Sequence, residues 1–354
     1  MADYKQDLER LVGIVIKEGA SDLHITAGRN PTIRVSRSLI PLVREPVLTA
    51  EAAKGITLAM MSPDLGETFL RDKEIDFSYS AAAGDRFRGN AFYQKGNVGS
   101  TLRYIPKQIR TLEELGLPPV LRDFCYKEQG FFLVVGPVGQ GKSTTLASMI
   151  ELINKERSEH IVTIEDPIEY LFTPDKSIID QREVRFDTKD FHTALRSMFR
   201  QDVNVALIGE MRDPETIATA VTAAETGHLI LSTLHTNNAS QTIDRIIDSF
   251  PAGQQSQIRI QLAASLLGIF SQRLVPRVAG GLVPAYELLI NNYAVSNLIR
   301  EGRTNEINVL IETGSENGMI DMNHSLSELV RRGEITSASA YVHSFNPKAL
   351  ERLL

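Results

Sequence analysis

From residue 130 onward the chain carries four short runs that are apolar almost throughout, each followed by polar residues. The runs are Phe131–Val135, His160–Ile164, Val205–Ile208 and Leu229–Thr233. Segments that suit helices, such as Lys142–Lys155 and Phe191–Gln201, separate most of them. Strands that are apolar throughout are buried on both faces, which is typical of parallel sheets covered by helical crossovers. The pattern therefore predicts an α/β domain with a mainly parallel sheet.

A further helix is predicted directly after Asp213. The aspartate suits the N-cap, Pro214 suits the first helical position, and Gly227 follows the expected end. Beyond about residue 250 the sequence predicts mostly helix as far as Leu354, with one more strand at Val283–Ile290.

The first hundred residues have a different pattern. A helix is predicted at Tyr4–Lys17, where apolar residues recur at helical spacing. Five short runs then alternate apolar and polar residues, as half-buried antiparallel strands do. They are Asp22–Ile25, Thr32–Val35, Ile75–Tyr79, Phe87–Phe92 and Gly99–Tyr104. We therefore predict a small α+β domain over 1–105, a linker over 106–119, and a larger domain over 120–354 whose C-terminal helical part begins at about residue 290.

Composition and charge argue against several classes of protein. The chain has a net charge of −6, whereas a nucleic-acid-binding surface normally makes a domain basic, so no nucleic acid is expected as a partner. The single cysteine, Cys125, rules out an internal disulfide and a multi-cysteine zinc site. No segment reaches the roughly 18 to 20 continuous apolar residues that span a bilayer. We expect a soluble, cytoplasmic protein without direct membrane insertion.

One loop of the predicted sheet carries a phosphate-binding pattern. It lies between the first apolar run and a predicted helix, and it reads Gly136-Pro137-Val138-Gly139-Gln140-Gly141-Lys142-Ser143. The glycines allow backbone N–H groups to close around a phosphate, and the positive end of the following helix adds to the attraction. We expect Lys142 to reach the β- and γ-phosphates of ATP and the Ser143 hydroxyl to ligate Mg²⁺, with Thr144 beside it in the cofactor-binding segment.

Carboxylates follow two of the other predicted strands. Ligands of open parallel sheets bind beyond the carboxyl ends of the strands, so these side chains are expected near the phosphate loop. Glu210 follows its strand almost directly and is our candidate for polarising the attacking water; a carboxylate near a helix N-terminus is the alternative. Glu165, Asp166 and Glu169 follow another strand and could hold Mg²⁺-bound water or the nucleophile. A structural ion pair is the alternative for each of these three.

Two histidines flank the last of the four runs. His235 follows it and could donate a hydrogen bond to a γ-phosphate. His228 precedes it and is also a candidate. For both, the alternative is a structural histidine whose hydrogen bonds are satisfied within the fold.

Further segments, spread over nearly the whole chain, form a specific combination with the phosphate loop. They are Ala20–His24, Phe87–Phe92, Leu112–Pro118, an acidic box Thr163–Glu169, a Walker B segment Gly209–Asp213, and a histidine box from Thr222–His228 to Thr233–Thr236. In this order they resemble the secretion-ATPase superfamily, and most closely the branch that retracts type IV pili.

The resemblance implies a RecA-like P-loop ATPase domain, preceded by a small PAS-like domain, in a ring of six identical subunits that hydrolyses Mg-ATP. In this superfamily the N-terminal domain of one subunit packs on the ATPase domain of the next, and its arginines contact the phosphates. Arg88 and Arg103 match those arginines. A fixed cation there would neutralise charge on the transferring group. A solvated ion pair is the alternative for each arginine.

The retraction branch fits better than the assembly branch. Assembly ATPases typically carry a four-cysteine zinc site and an additional N-terminal domain, whereas this chain has one cysteine and about 100 residues before the linker. Ala294–Glu301 resembles a C-terminal helix motif of the retraction branch, with a departure at Val295-Ser296. The resemblance implies pilus retraction and twitching motility, with a peripheral attachment to the inner membrane through a platform protein and an indirect action on the pilin fibre.

Other functions stay open at the level of the sequence. The departures at Gln201, within Arg200–Asn204, and at Ser296 suggest a non-hydrolysing or accessory regulatory paralogue of the pilus motor. A type II secretion or pilus assembly ATPase is a second alternative. A DNA or RNA translocase on the same core is a third, and the acidic net charge argues against it.

Overall fold

The fold is described from a computed structural model that covers residues 3–35, 38–211 and 213–354. The chain forms two compact units that divide between Gln108 and Ile109. Our domain bounds, with a linker over 106–119, stay a prediction. Leu112 and Leu117, within that predicted linker, are buried in an apolar cluster of the second unit.

The first unit contains an antiparallel sheet with helices on one face. Within the described residues its helices are α1 (Tyr4–Lys17), α2 (Ala50–Leu58) and α3 (Pro63–Asp72), and its strands are β1 (Asp22–Thr26), β2 (Thr32–Val35), β3 (Ser38–Pro41), β4 (Glu74–Ser80), β5 (Arg86–Gln94) and β6 (Asn97–Ile105). The strand order is β3-β2-β1-β6-β5-β4. The predicted helix and all five predicted strands are confirmed, whereas β3, α2 and α3 were not predicted.

Alternation along the strands divides this sheet into an apolar and a polar face. Leu23 of β1, Leu102 of β6 and Phe87 of β5 are fully buried in the core with the apolar side of α1. The intervening residues of the same strands, including Asp22, Arg103 and Arg88, therefore project from the opposite face.

The second unit is built on a larger sheet. Its helices are α4 (Leu121–Cys125), α5 (Lys142–Glu156), α6 (Phe191–Met198), α7 (Pro214–Glu225), α8 (Ala239–Asp248), α9 (Ala252–Ser265), α10 (Tyr293–Glu301), α11 (Ile307–Thr313), α12 (Met322–Arg331), α13 (Ser337–His343) and α14 (Pro347–Glu351). Its strands are β7 (Gly130–Val135), β8 (His160–Glu165), β9 (Ile178–Glu183), β10 (Val205–Ile208), β11 (Leu229–Leu234), β12 (Leu266–Pro276) and β13 (Leu282–Ile290).

The strands of this sheet are ordered β13-β12-β7-β11-β10-β8-β9. All neighbours are parallel except β12 and β13, which form an antiparallel hairpin. Apolar clusters lie on both faces, with α5 on one side and α7, α8 and α9 contributing to the other. The predicted α/β class with a mainly parallel sheet is confirmed. As a result, the carboxyl ends of β7, β11, β10 and β8 meet at one edge.

The predicted helix after Asp213 is α7. One carboxylate oxygen of Asp213 accepts a hydrogen bond of 2.8 Å from Thr216 N, and the other accepts one of 2.7 Å from Thr216 Oγ1. The bonds satisfy a backbone N–H group at the helix N-terminus, and Pro214 occupies the first turn as expected.

The prediction of mostly helix beyond residue 250 is wrong for Leu266–Pro276, which forms the long strand β12. This strand begins directly after α9, without turn residues between them, and its first residues prolong the apolar pattern of that helix. Burial of β12 between β7 and β13 stabilises the strand more than the local apolar pattern favours a helix. The predicted helix Phe191–Gln201 also ends early, at Met198.

Candidate nucleotide-binding site

The phosphate-binding loop joins β7 to α5, as predicted. Lys142 begins α5, and its side chain turns back over the loop. Its Nζ atom donates hydrogen bonds to the carbonyl oxygens of Gly136 at 2.8 Å and Pro137 at 3.0 Å. The ammonium group therefore lies inside the curve of the loop, where a phosphate could replace these carbonyl partners.

The loop needs glycine at its two ends. Gly136 has φ of +147° and Gly141 has φ of +80°, values that residues with a side chain rarely adopt. A Cβ atom on Gly136 would also come within 2.6 Å of the Gln272 carbonyl oxygen on β12. Val138, in contrast, is 81% exposed, so the sequence of the loop tip is not fixed by packing.

His235 and Glu210 extend the site across the sheet. Nδ1 of His235 lies 3.2 Å from Lys142 Nζ, and Nε2 lies 3.9 Å from Glu210 Oε2. Because an ammonium group can only donate, Nδ1 is the acceptor and Nε2 carries the ring proton towards the carboxylate. Three strand ends thus bring a lysine, an imidazole and a carboxylate together, as the sequence predicted for the edge of the sheet.

Burial changes the acidity of Lys142. Removal from water lowers the pKa of its ammonium group to about 8, against the opposing effect of the nearby Glu169 and Glu210 carboxylates. The buried Arg273 guanidinium lowers this pKa further, since a like charge disfavours the ammonium form.

The acidic box after β8 divides into buried and exposed carboxylates. Glu165 is buried and accepts hydrogen bonds from Thr163 Oγ1 at 2.7 Å and from Glu169 N at 3.2 Å, and burial raises its pKa to about 7. Glu169 and Asp166 are exposed. Asp166 lies 3.5 Å from Arg185 in an ion pair. The Glu165 contacts favour a role in shaping this loop, while Glu169 is near enough to Lys142 to affect its pKa.

The structure does not bring His228 to this edge. It precedes β11, which runs parallel to β7, so it lies at the end of the sheet opposite the phosphate loop. Its Nδ1 is bonded to Ala223 O at 3.0 Å, and its ring contacts Phe199 edge-on. These contacts favour the structural alternative for His228, with one ring nitrogen hydrogen-bonded within the fold.

The two candidate arginines lie opposite each other in the first unit. Arg88 of β5 is paired with Arg103 of β6 in the antiparallel register. Arg103 forms an ion pair of 3.0 Å with the buried Asp22, whereas among the described residues no carboxylate lies within ion-pair distance of the exposed Arg88. Like charges opposite one another are unfavourable unless an anion lies between them. Arg212 of the Walker B segment lies outside the described residues.

Sequence reasoning did not identify several side chains that hold the loop and its helix. Gln272 of β12 contacts the loop backbone and Thr145, and Tyr170 OH lies 2.8 Å from Thr144 Oγ1. Arg273 is buried beside Gly136 and donates to Asn237 Oδ1 at 2.9 Å. These contacts join residues far apart in the chain, and the only local signal was polar residues within an otherwise apolar run.

A P-loop at the end of a central parallel strand, with carboxylate and imidazole groups from neighbouring strands, defines a P-loop nucleotide-binding protein. The chain belongs to the family of type II/IV secretion system proteins, whose sequence profile matches residues 2–287.

Two relatives and one solved structure resemble the chain over nearly its whole length. The type IV pilus retraction ATPase PilT of Pseudomonas aeruginosa is 42% identical, over 94% of this chain and 97% of the relative. The type IV pilus ATPase PilU of the same organism is 40% identical, over 98% and 91%. A crystal structure of the pilus retraction motor PilT with bound ADP matches with a TM-score of 0.92 and 46% identity, over 97% of this chain and 98% of that one.

Within residues 3–35, 38–211 and 213–354, no helix is long and apolar enough to cross a bilayer.

Proposed function

We propose that this chain is the subunit of an ATPase motor that hydrolyses Mg-ATP to power type IV pilus retraction. The observation that carries the proposal is the meeting of Lys142, His235 and Glu210 at one edge of the sheet, with the separations of 3.2 Å and 3.9 Å given above. The similarity to PilT over nearly the whole chain supports the choice of retraction among the possible uses of ATP.

The geometry suggests how the triphosphate is bound and cleaved. The loop N–H groups and Lys142 hold the β- and γ-phosphates, and His235 contacts the γ-phosphate from the neighbouring strand. Glu210 accepts a hydrogen bond from the attacking water. The oxygen of that water bonds to the γ-phosphorus as the bond to the β–γ bridging oxygen breaks, which yields ADP and inorganic phosphate.

The residues present fit a magnesium ion. The Ser143 hydroxyl follows Lys142 in the first turn of α5 and makes no hydrogen bond within the described part of the chain, so it is available as a ligand. Glu169 and Glu210 would accept hydrogen bonds from water on the ion, which Mg²⁺ releases reluctantly. When bound, the ion would supply positive charge next to the β- and γ-phosphate oxygens.

Assembly into a ring of six subunits would complete the site. The facing pair Arg88 and Arg103 creates a local excess of positive charge, which a phosphate from the neighbouring subunit's nucleotide would neutralise. Hydrolysis would then change the arrangement of adjacent units. An inner-membrane platform protein would transmit the motion to the pilin fibre.

Steady-state phosphate release by the purified chain tests the proposal. Glu210→Gln keeps the size and hydrogen-bonding ability of the side chain but removes its negative charge, so we expect kcat to fall at least about a hundredfold with nucleotide binding retained. Glu215→Gln, on the exposed first turn of α7, is the matched control and should leave kcat unchanged. Wild-type turnover in the Glu210→Gln variant would refute the assigned role.

An accessory subunit of a pilus motor is a second candidate. Similarity to PilU is almost as high as to PilT, and Ser296 replaces the arginine typical of the helix motif, with its hydroxyl bonded to Ala263 O at 2.9 Å on α9. Nucleotide binding without turnover, with and without a partner ATPase, would favour this function. Cells that lose the gene and keep pili they cannot withdraw would favour the principal motor.

A further inference from the structure

Strand β12 continues past the end of its neighbour β7 and runs beside the phosphate loop. The register between the two strands ends at the pair Ser271 and Val135. The next residue, Gln272, is only 3% exposed, although its side chain is polar. A buried amide requires hydrogen-bond partners, and the loop supplies them.

The Gln272 side chain connects two parts of the phosphate site. Its Nε2 atom donates to the carbonyl oxygen of Gln140, inside the loop, at 2.8 Å. Its Oε1 atom accepts from Thr145 Oγ1, in the first turn of α5, at 2.7 Å. One amide thus fixes the loop backbone relative to the helix that carries Lys142.

A reciprocal contact ties the loop to the same strand. The side-chain Oε1 of Gln140 accepts a hydrogen bond of 2.7 Å from Leu274 N. In this way Gln140 continues the hydrogen bonding of β12 beyond the end of β7. The glycines pack against the same residue, because a Cβ atom would lie 2.6 Å from Gln272 O at Gly136 and 3.0 Å from Gln272 Nε2 at Gly141.

We propose that Gln272 is a positioning residue for nucleotide binding, which holds the phosphate loop in its binding conformation before ATP arrives. This inference rests on the proposed ATPase function. Without these hydrogen bonds the loop would have to become ordered when the nucleotide binds. This ordering would weaken binding, since fixing a backbone residue costs about 1–2 kcal/mol. The side-chain hydrogen bonds of Gln272 go to Gln140 and Thr145 and not to Glu210 or His235, so its loss should weaken nucleotide binding more than it slows the chemical step.

The test compares affinity and turnover in variants of the full-length chain. Gln272→Leu removes both side-chain bonds, and Gln272→Glu keeps the acceptor for Thr145 but cannot donate to Gln140 O. We expect both to raise the Kd for a fluorescent ADP analogue and the KM for ATP about tenfold, a change of about 1.4 kcal/mol, while kcat changes less than about twofold. Gln255→Leu removes a part-buried amide on α9, bonded to Phe250 O, and should leave all three unchanged.

Combination with Thr145→Val distinguishes the loss of one specific hydrogen bond from a general loss of structure around the loop. Because Thr145 and Gln272 share one hydrogen bond, the double variant with Gln272→Leu should weaken binding by less than the product of the two single effects. If Gln272→Leu does not fold, Gln272→Glu and Thr145→Val provide the test. The inference then requires both variants to raise the KM for ATP. Unchanged KM in the folded variants, or fully multiplicative effects in the double variant, would overturn the inference.

Lys142→Ala separates this inference from the proposed function. If Lys142→Ala abolishes nucleotide binding while the Gln272 variants bind normally, only the positioning role fails. If Lys142→Ala binds nucleotide as well as the wild type does, the proposed site itself is wrong.

Discussion

Glu287 is a buried carboxyl group whose replacement by glutamine should change how stability depends on pH. It lies on β13, is 5% exposed, and accepts a hydrogen bond of 2.9 Å from Ala239 N at the start of α8. Burial raises its pKa from 4.5 to about 7, and the neighbouring carboxylates of Asp321 and Glu312 add to this effect. The second carboxyl oxygen makes no hydrogen bond to the described residues, so glutamine can keep the bond to Ala239.

The size of the effect follows from the difference in pKa between the folded and unfolded chains. A folded pKa above the unfolded value means that the folded chain binds the proton more tightly, so stability falls as pH rises from 4.5 through 7. At 1.36 kcal/mol per pKa unit, the full loss in the free energy of unfolding is about 3 kcal/mol. The group should account for a loss of about 1 kcal/mol between pH 6 and pH 8.5.

Urea unfolding followed by circular dichroism measures this contribution, since the chain has no tryptophan. Glu287→Gln should be more stable than the wild type at pH 8.5, and its advantage should shrink by about 1 kcal/mol at pH 6. Glu316→Gln replaces an exposed carboxylate that is not among the groups acting on the pKa of Glu287, and this control should keep the wild-type pH dependence. Parallel pH profiles for the wild type and Glu287→Gln would refute the reasoning.

Two further predictions concern the N-terminus of α7 and the loop glycines. Asp213→Ala removes the cap bond to Thr216 N and should lower the free energy of unfolding by about 1 kcal/mol, measured by urea titration; an unchanged midpoint would contradict the capping role. Gly136→Ala should abolish nucleotide binding in an equilibrium titration, because its Cβ would meet Gln272 O, whereas Gly139→Ala, with open space around the new Cβ, should retain weakened binding. Equal losses in the two glycine variants would contradict the close-packing argument.

The sequence predicted the central part of the fold and of the site because both depend on local patterns. Four apolar runs and the loop between β7 and α5 were sufficient to place Lys142, Glu210 and His235 at one edge. Strand β12 was missed because it directly follows α9 and prolongs its apolar pattern. Its hairpin turn contains Gly280-Gly281, both with positive φ, which is a turn signal that could have revealed it.

Long-range contacts explain the other differences. His228 was grouped with His235 because both flank one strand, yet the parallel direction of β11 and β7 separates them by the length of that strand. The sequence gives no indication that Gln272 reaches Gln140, 132 positions earlier, because this contact depends on how far β12 extends past β7. The spacing of charged residues likewise does not reveal that Asp22 pairs with Arg103.

The central claim is that Lys142, His235 and Glu210 surround a single triphosphate. A crystal structure of the Glu210→Gln variant with Mg-ATP tests it most directly, because slow hydrolysis should preserve the substrate. We predict that Lys142 Nζ leaves the carbonyl oxygens of Gly136 and Pro137 and lies within hydrogen-bond distance of the γ-phosphate, with His235 contacting the same phosphate. A nucleotide bound away from the loop, or a γ-phosphate beyond the reach of both side chains, would contradict the account.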